Sequence, residues 1–341
     1  MSFLPPGHPP IPTPKTGLLL INLGTPEATD FFSVRTYLKE FLSDRRVIEI
    51  NPLIWWPILN GIILNVRPKK SGHAYEKIWN RELNESPLKT YTREQALKLT
   101  AALGKKDQLI VDWAMRYGKP AIADKIRALK QQGCERIVLF PLYPQYSAAT
   151  TATALDKAYQ ELQSMRWQPA IRTVPPYYDH PAYIDAVAVS LEQAMKDLPW
   201  KPDRVLIAFH GLPREYLNRG DPYHCHCQKT ARLVREKLKL SKDFLQVVFQ
   251  SRFGKAEWLK PYAQDTVEGL PAEGVKNLLM ISPGFASDCV ETLEELAIGL
   301  KETFTENGGD NFAVVPCLND STASIAMLAE IASNELKGWL R

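Results

Sequence analysis

Short apolar runs ending in turn residues recur at positions 17–22, 108–113, 136–140, 205–209, 245–249 and 278–281. Runs of this length, bounded by Gly, Pro, Asn or Asp, predict buried strands. Between them the apolar spacing becomes helical, as at positions 121–132 and 184–197. Strands alternating with helices predict an α/β protein with parallel sheets flanked by helices.

The two halves of this pattern resemble each other. Leu18-Leu-Leu-Ile-Asn-Leu-Gly-Thr-Pro26 echoes Val205-Leu-Ile-Ala-Phe-His-Gly-Leu-Pro213, and Arg116-Tyr-Gly-Lys119 echoes Arg252-Phe-Gly-Lys255. With a one-residue slip, the segment 133–141 also echoes 274–283. Three matches in one order predict a duplicated unit. From Gly24 to Arg116 is 92 residues and from Gly211 to Arg252 is 41, so the first half carries a surplus of 51. In this alignment Leu23 falls opposite His210, and the surplus is expected over the cleft between the halves.

Length agrees with two units, since 341 residues exceed a usual single core. Hydrophobic residues at 45% and charged residues at 23% are ordinary globular values. A net charge of +4, with both signs interleaved, gives no nucleic-acid footprint. Five unevenly spaced cysteines argue against a disulfide framework and for a reducing cytoplasm. The Pro-rich residues 1–15 lack signal-peptide character and are expected to form a disordered arm.

Residues 50–66 are strongly apolar, but two prolines and three asparagines oppose a membrane-spanning helix. Trp55 and Trp56 beside the basic Arg67, Lys69 and Lys70 suit a lip that dips into a membrane interface or covers the mouth of a site. The other reading buries this segment in the core.

His210 ends a strand and precedes Gly211, where ligands bind in open α/β sheets. A neutral imidazole there accepts a proton or ligates a transition metal. Ser287 or Asp288 is expected to cap the following helix, placing Asp288, Glu291 and Glu295 at i, i+3 and i+7 on one face. Such a stripe relays protons or a metal cation, or is simply a solvated face near a helix N-terminus. Aromatic residues at the strand ends, Tyr143, Tyr146, Trp258 and Phe285, suit a broad flat ligand or core packing. The absence of G-x-G-x-x-G and of a P-loop weakens a nucleotide-dependent reading.

Five ordered motifs then carry a family resemblance: Asn22-Leu-Gly-Thr-Pro, Tyr143-Pro-Gln-Tyr-Ser, His210-Gly-Leu-Pro, Asn218-Arg-Gly-Asp-Pro-Tyr223 and Ser287-Asp-Cys-Val-Glu-Thr-Leu-Glu-Glu295. Together they resemble ferrochelatase. The resemblance implies two Rossmann-like domains with a cleft between them: residues 16–178 with 318–341, bearing a lip at about 45–85, and residues 179–317. It implies insertion of ferrous iron into protoporphyrin IX to give protohaem, at a cytoplasmic site with peripheral contact to the inner membrane face through the lip. Coproporphyrin chelation, or a carrier that binds porphyrin without metallating it, are the competing readings.

By the same resemblance His210 and Glu291 are the catalytic and metal-contacting pair, and Asp288 and Glu295 form an acidic relay. Leu23, Arg116, Tyr117, Tyr143 and Trp258 line the porphyrin pocket. Cys289 stands where many members carry a second histidine. Ala148 replaces the internal cysteine of the animal [2Fe-2S] cluster, whose C-terminal extension is also missing, so that cluster is not expected. A cluster through Cys134, Cys225, Cys227 and Cys317 requires the fold to gather them. Oligomeric state is not readable, and a monomer is the default expectation.

Overall fold

The computed structural model describes residues 7, 13–104, 108–252, 254 and 256–340. In the first half β1 (Lys15–Gly24) is followed by α1 (Phe31–Leu42), α2 (Pro52–Ile58), α3 (Leu64–Ile78) and α4 (Pro87–Ala102). Then come β2 (Leu109–Tyr117), α5 (Ile122–Gln131), β3 (Cys134–Pro141), α6 (Thr153–Gln163) and β4 (Ala170–Thr173). The second half contains α7 (Pro181–Asp197), β5 (Arg204–His210), α8 (Arg214–Asn218), α9 (Tyr223–Leu238) and β6 (Leu245–Gln250). It continues through α10 (Ala263–Gly269), β7 (Asn277–Ile281), a π-helix (Glu291–Leu300), α11 (Lys301–Glu306), β8 (Asn311–Val315) and α12 (Thr322–Leu336).

Among the described residues these strands form two parallel four-stranded sheets, ordered β2-β1-β3-β4 and β6-β5-β7-β8. The six anticipated strands are all present, and β1 starts at Lys15, inside the stretch assigned to the arm. Most of that arm lies outside the described residues. The edge strands β4 and β8 escaped the sequence pattern because they are short and incompletely buried. Central strands, covered on both faces, leave the continuous apolar signal that Leu18 to Ile21 illustrate, each with no exposed surface.

Identical strand order supports the duplication, but strand register corrects one of its matches. Met115 N donates to Pro120 O at 2.7 Å and Phe249 N donates to Pro261 O at 2.8 Å, so Met115 and Phe249 are equivalent. Their register partners are Asn22 and Phe209, which places Leu23 and His210 at the same point of the repeat. Arg116 therefore corresponds to Gln250, not to Arg252. The third match needs no slip, since Gly133 and Gly274 both adopt left-handed backbone and Phe140 and Ile281 hold equivalent register positions.

One hydrophobic core joins the two sheets, with Leu18, Leu20 and Phe140 on one side and Val205, Ile207 and Phe209 on the other. Helix α12 then crosses back to α4 and α7. Arg136 donates to Trp339 O at 3.0 Å and Arg172 donates to Glu335 O at 2.6 Å, tying the C-terminal segment to the first sheet. The outer faces have separate cores, under α5 and α6 in the first half and under the π-helix in the second.

The surplus of the first half is built as α1, α2 and α3 around Val34, Leu38, Leu59, Leu64 and Tyr117. Asp30 caps α1 by accepting from the Phe32 and Ser33 amides at 2.9 and 3.1 Å. The outer side of this insert is apolar and exposed at Phe32, Leu53, Ile54, Trp56, Ile62 and Val66. Residues 50–66 are thus exposed on one side and buried on the other, where Leu59 and Leu64 pack inside the insert, and among the described residues no helix is long and apolar enough to cross a membrane.

Candidate active site

The carboxyl ends of both sheets are stitched together by buried polar contacts. After β3, Gln145 Nε2 donates to Tyr183 Oη and Thr230 Oγ1, both at 3.1 Å. Tyr183 Oη donates onward to Pro283 O at 2.7 Å, reaching the loop after β7. Asp221, in the loop between α8 and α9, accepts from Ser147 Oγ at 3.1 Å and Ala148 N at 2.8 Å. His210 lies at this junction as the last residue of β5, half-buried, with Nδ1 2.6 Å from Gly211 O.

Gly211 is required at its position, because a Cβ there would lie 2.7 Å from Gln250 O and 3.1 Å from Trp258 Cε3. Gly211 N donates to that same Gln250 oxygen at 2.8 Å. On β6, Gln250 is the register partner of His210, and its Nε2 donates to Glu291 O at 3.0 Å. Next to it Ser251 Oγ donates to Glu295 Oε2. Histidine and acidic helix therefore meet through Gln250 and Ser251 at the end of β6, two residues that no motif marked.

The acidic segment departs from its anticipated geometry. It folds as a π-helix beginning at Glu291, without a side-chain cap from Ser287 or Asp288. Glu291 and Glu295, four residues apart, lie on one side of this helix. Asp288 precedes the helix, is 5% exposed, and has both oxygens occupied. Its Oδ1 accepts from Thr292 Oγ1 at 2.8 Å and Cys317 N at 3.3 Å, and Oδ2 accepts from Asn319 Nδ2 at 2.6 Å. The single face of three acids inferred from i, i+3 and i+7 spacing is corrected to a pair, Glu291 with Glu295, and a separate anchor, Asp288.

Burial pushes the Glu295 carboxyl above the ordinary carboxylate range, and the Glu291 charge adds to this. Ser251, His210 and Gln250 oppose the shift. Tyr37 of α1 and Tyr75 of α3 are both buried and electrostatically coupled to Glu291 from the side of the insert. Burial raises both phenols far above their usual range. No motif marked these tyrosines; they sit at core-facing positions of ordinary helices. Cys289 is buried here too, its thiol pushed up first by burial and then by Glu291.

The anticipated porphyrin residues fall into two groups. Leu23 is half-buried at the end of β1, Tyr143 is buried, and Trp258 lies beside Gly211, bridged to Pro213. Tyr143 Oη and Trp258 Nε1 are buried without a hydrogen-bond partner, as are the hydroxyls of Thr25 and Thr151. Arg116 and Tyr117 are instead engaged within the protein. Arg116 Nε donates to Thr153 O and Oγ1 at 3.0 and 2.7 Å, its Nη2 pairs with Asp44, and its guanidinium stacks 4.3 Å over the Tyr117 ring. Tyr117 is fully buried and donates to Asp44 Oδ2 at 2.8 Å.

The two tryptophans of the lip also differ. Trp56 is 67% exposed, whereas Trp55 is half-buried and donates from Nε1 to Leu42 O at 2.7 Å. The cysteines are dispersed: Cys134 in the outer core of the first sheet, Cys225 exposed on α9, Cys227 in the central core and Cys317 near Ser282. Residues 223–227 open helix α9. His226 stacks on Tyr178 at 3.6 Å. Among the described residues no three His, Cys, Asp or Glu side chains form a preassembled metal cage.

Two like sheets joined at their carboxyl ends, with a histidine and a carboxylate pair at the junction, define a two-domain α/β protein of chelatase type. A solved structure described as SirB from Bacillus subtilis with Fe3+ has this fold, with a TM-score of 0.55 at 12% identity over 96% of this chain and 99% of that one. The chain belongs to the ferrochelatase family, whose model matches residues 15–336. It is 60% identical over 333 residues to a ferrochelatase of Rhizobium meliloti (strain 1021), covering 98% of each chain. A ferrochelatase of Brucella ovis is 52% identical over 335 residues, covering 98% of this chain and 95% of that relative. The protein is accordingly an enzyme of haem biosynthesis that acts on a porphyrin and iron.

Proposed function

We propose that this ferrochelatase inserts ferrous iron into protoporphyrin IX, yielding protohaem, at the joined carboxyl ends of its sheets, with His210 and Glu291 as the reacting pair. The observation that carries the assignment is the connection from His210 through its strand neighbour Gln250 to the Glu291 turn. Metallation requires two pyrrole N–H protons to leave while iron sheds water, so a base and oxygen or nitrogen ligands must converge on the ring centre. His210 takes a proton or contacts iron, Glu291 supplies negative charge, and Glu295 accepts or returns a proton behind it. Asp288 acts as an anchor for the loop.

Leu23, Tyr143 and Trp258 form the wall against the porphyrin, and the orphaned Tyr143 Oη and Trp258 Nε1 support a polar-rimmed ligand there. Arg116, stacked on Tyr117, is held ready beside them by Asp44 and Thr153. The exposed apolar insert beside Arg67, Lys69 and Lys70 supports peripheral contact with a membrane surface, suited to a lipophilic porphyrin.

Ferrous iron insertion measured with protoporphyrin and coproporphyrin side by side tests this reading. Protoporphyrin is expected to be metallated faster, and His210→Ala is expected to cut kcat by about 10²-fold or more while porphyrin still quenches tryptophan fluorescence. Near-normal turnover by His210→Ala removes its central role. A preference for coproporphyrin reassigns the substrate, and tight binding without insertion makes the protein a carrier.

A further inference from the structure

Gln250 is the polar side chain that sits between the two halves of the reacting pair. Its backbone belongs to β6 beside His210, and its carbonyl oxygen receives the Gly211 amide at 2.8 Å. Its side chain points the other way along the site, donating to Glu291 O at 3.0 Å and reaching Glu295 Oε2 at 3.5 Å. The residue is 3% exposed, and its Oε1 is buried without a partner. A buried amide that uses its donors and leaves its acceptor empty carries a desolvation cost.

We propose that Gln250 is a positioning residue for iron insertion: its amide fixes the first turn of the π-helix against the end of β5, setting Glu291 and Glu295 relative to His210. Three features support this. The contact to Glu291 is to main chain, so it sets where the helix begins rather than the charge of a side chain. Gly211 admits no Cβ against Gln250, so the strand side of the link is rigid. Ser251, the next residue, holds Glu295 from a left-handed backbone with φ of 64°, an uncommon conformation for a residue with a side chain. The empty Oε1 separates positioning from stability, because an apolar side chain of similar length removes the N–H contacts together with the unpaired oxygen.

This inference rests on His210 and Glu291 being the reacting residues, and its test keeps the two claims apart. Gln250→Leu and Gln250→Met are compared with the unsubstituted enzyme in kcat, in KM for porphyrin and for ferrous iron, and in thermal midpoint. Misplacement of reacting groups by a fraction of an ångström predicts a fall in kcat of about tenfold or more. Porphyrin KM is expected to stay within about twofold and the midpoint to be unchanged or higher. A smaller fall in kcat, a porphyrin KM that rises in step with the fall, or failure of both variants to fold overturns the proposal. An active His210→Ala would remove the underlying site assignment, whereas an inactive His210→Ala beside a fully active Gln250→Leu removes the positioning role alone.

Discussion

Lys77 Nζ, near the end of α3, lies 2.9 Å from Glu294 Oε1, on the π-helix that carries Glu291 and Glu295. The pair joins the insert of the first half directly to the acidic helix of the second. At the other end of the insert, Tyr216 Oη donates to Val47 O at 3.1 Å and Arg219 pairs with Glu49 at 2.7 Å. Helix α8, which follows the His210 turn, therefore grips the approach to α2.

Lys77→Ala should leave the thermal midpoint nearly unchanged, because a partly exposed ion pair contributes little to global stability. Local opening of the insert should nevertheless increase, read as faster limited proteolysis within residues 45–85. High salt should reproduce the effect in the unsubstituted protein by screening the pair. Equal cleavage rates for variant and parent would show that the pair does not restrain the insert.

Trp55 and Trp56 should separate structure from surface. Trp56→Ser removes an exposed indole, so binding to anionic vesicles should weaken at constant stability. Trp55→Ser loses packing and the bond to Leu42 O, and should cost about 1–3 kcal/mol in urea unfolding. Vesicle flotation that is unaffected by Trp56→Ser would detach the lip from membrane contact.

Asp44 should give an acid-sensitive contribution to stability. Burial pushes its carboxyl up, but hydrogen bonds from Thr153, the Arg46 amide and Tyr117, with the Arg116 charge, hold it below the ordinary range. A depressed native pKa means stability present above the unfolded value and lost as pH falls through the native one. Asp44→Asn should cost about 3 kcal/mol near neutrality, with the deficit shrinking below about pH 4. A deficit independent of pH would leave the charge of Asp44 without a role.

Glu295 has the opposite sign. Its raised native pKa means that stability present below the unfolded value is lost as pH rises through the native one. Glu295→Gln should therefore gain stability over the parent as pH climbs from the ordinary value of 4.5, while iron insertion falls. Unfolding midpoints at acid and neutral pH that differ equally between variant and parent would contradict the shift.

Much of this protein was legible because its signals are local. Buried parallel strands write continuous apolar runs, so β1, β3, β5 and β7 could be placed, and the repeat put Leu23 opposite His210 without a structure. The surplus of the first half and the apolar, basic character of residues 50–66 were likewise plain in the chain. By contrast, β4 and β8 are too short and too exposed to leave a pattern. Helical register was decided by packing: the spacing that grouped Asp288 with Glu291 and Glu295 fails because the helix starts only after Asp288, which is held by Thr292, Cys317 and Asn319 instead.

The sequence by itself determined the α/β class, the duplication and the family, and it supplied His210 and Glu291 as the candidate pair. Tertiary structure decided which groups meet. Gln250 and Ser251 reach the acidic pair from the end of β6, the buried Tyr37 of α1 and Tyr75 of α3 feel the Glu291 charge, Arg116 is paired with Asp44, and Cys134, Cys225, Cys227 and Cys317 stay dispersed. The physical reason is range: periodicity reports the burial of a residue within its own element, whereas a site depends on side chains brought together across the fold.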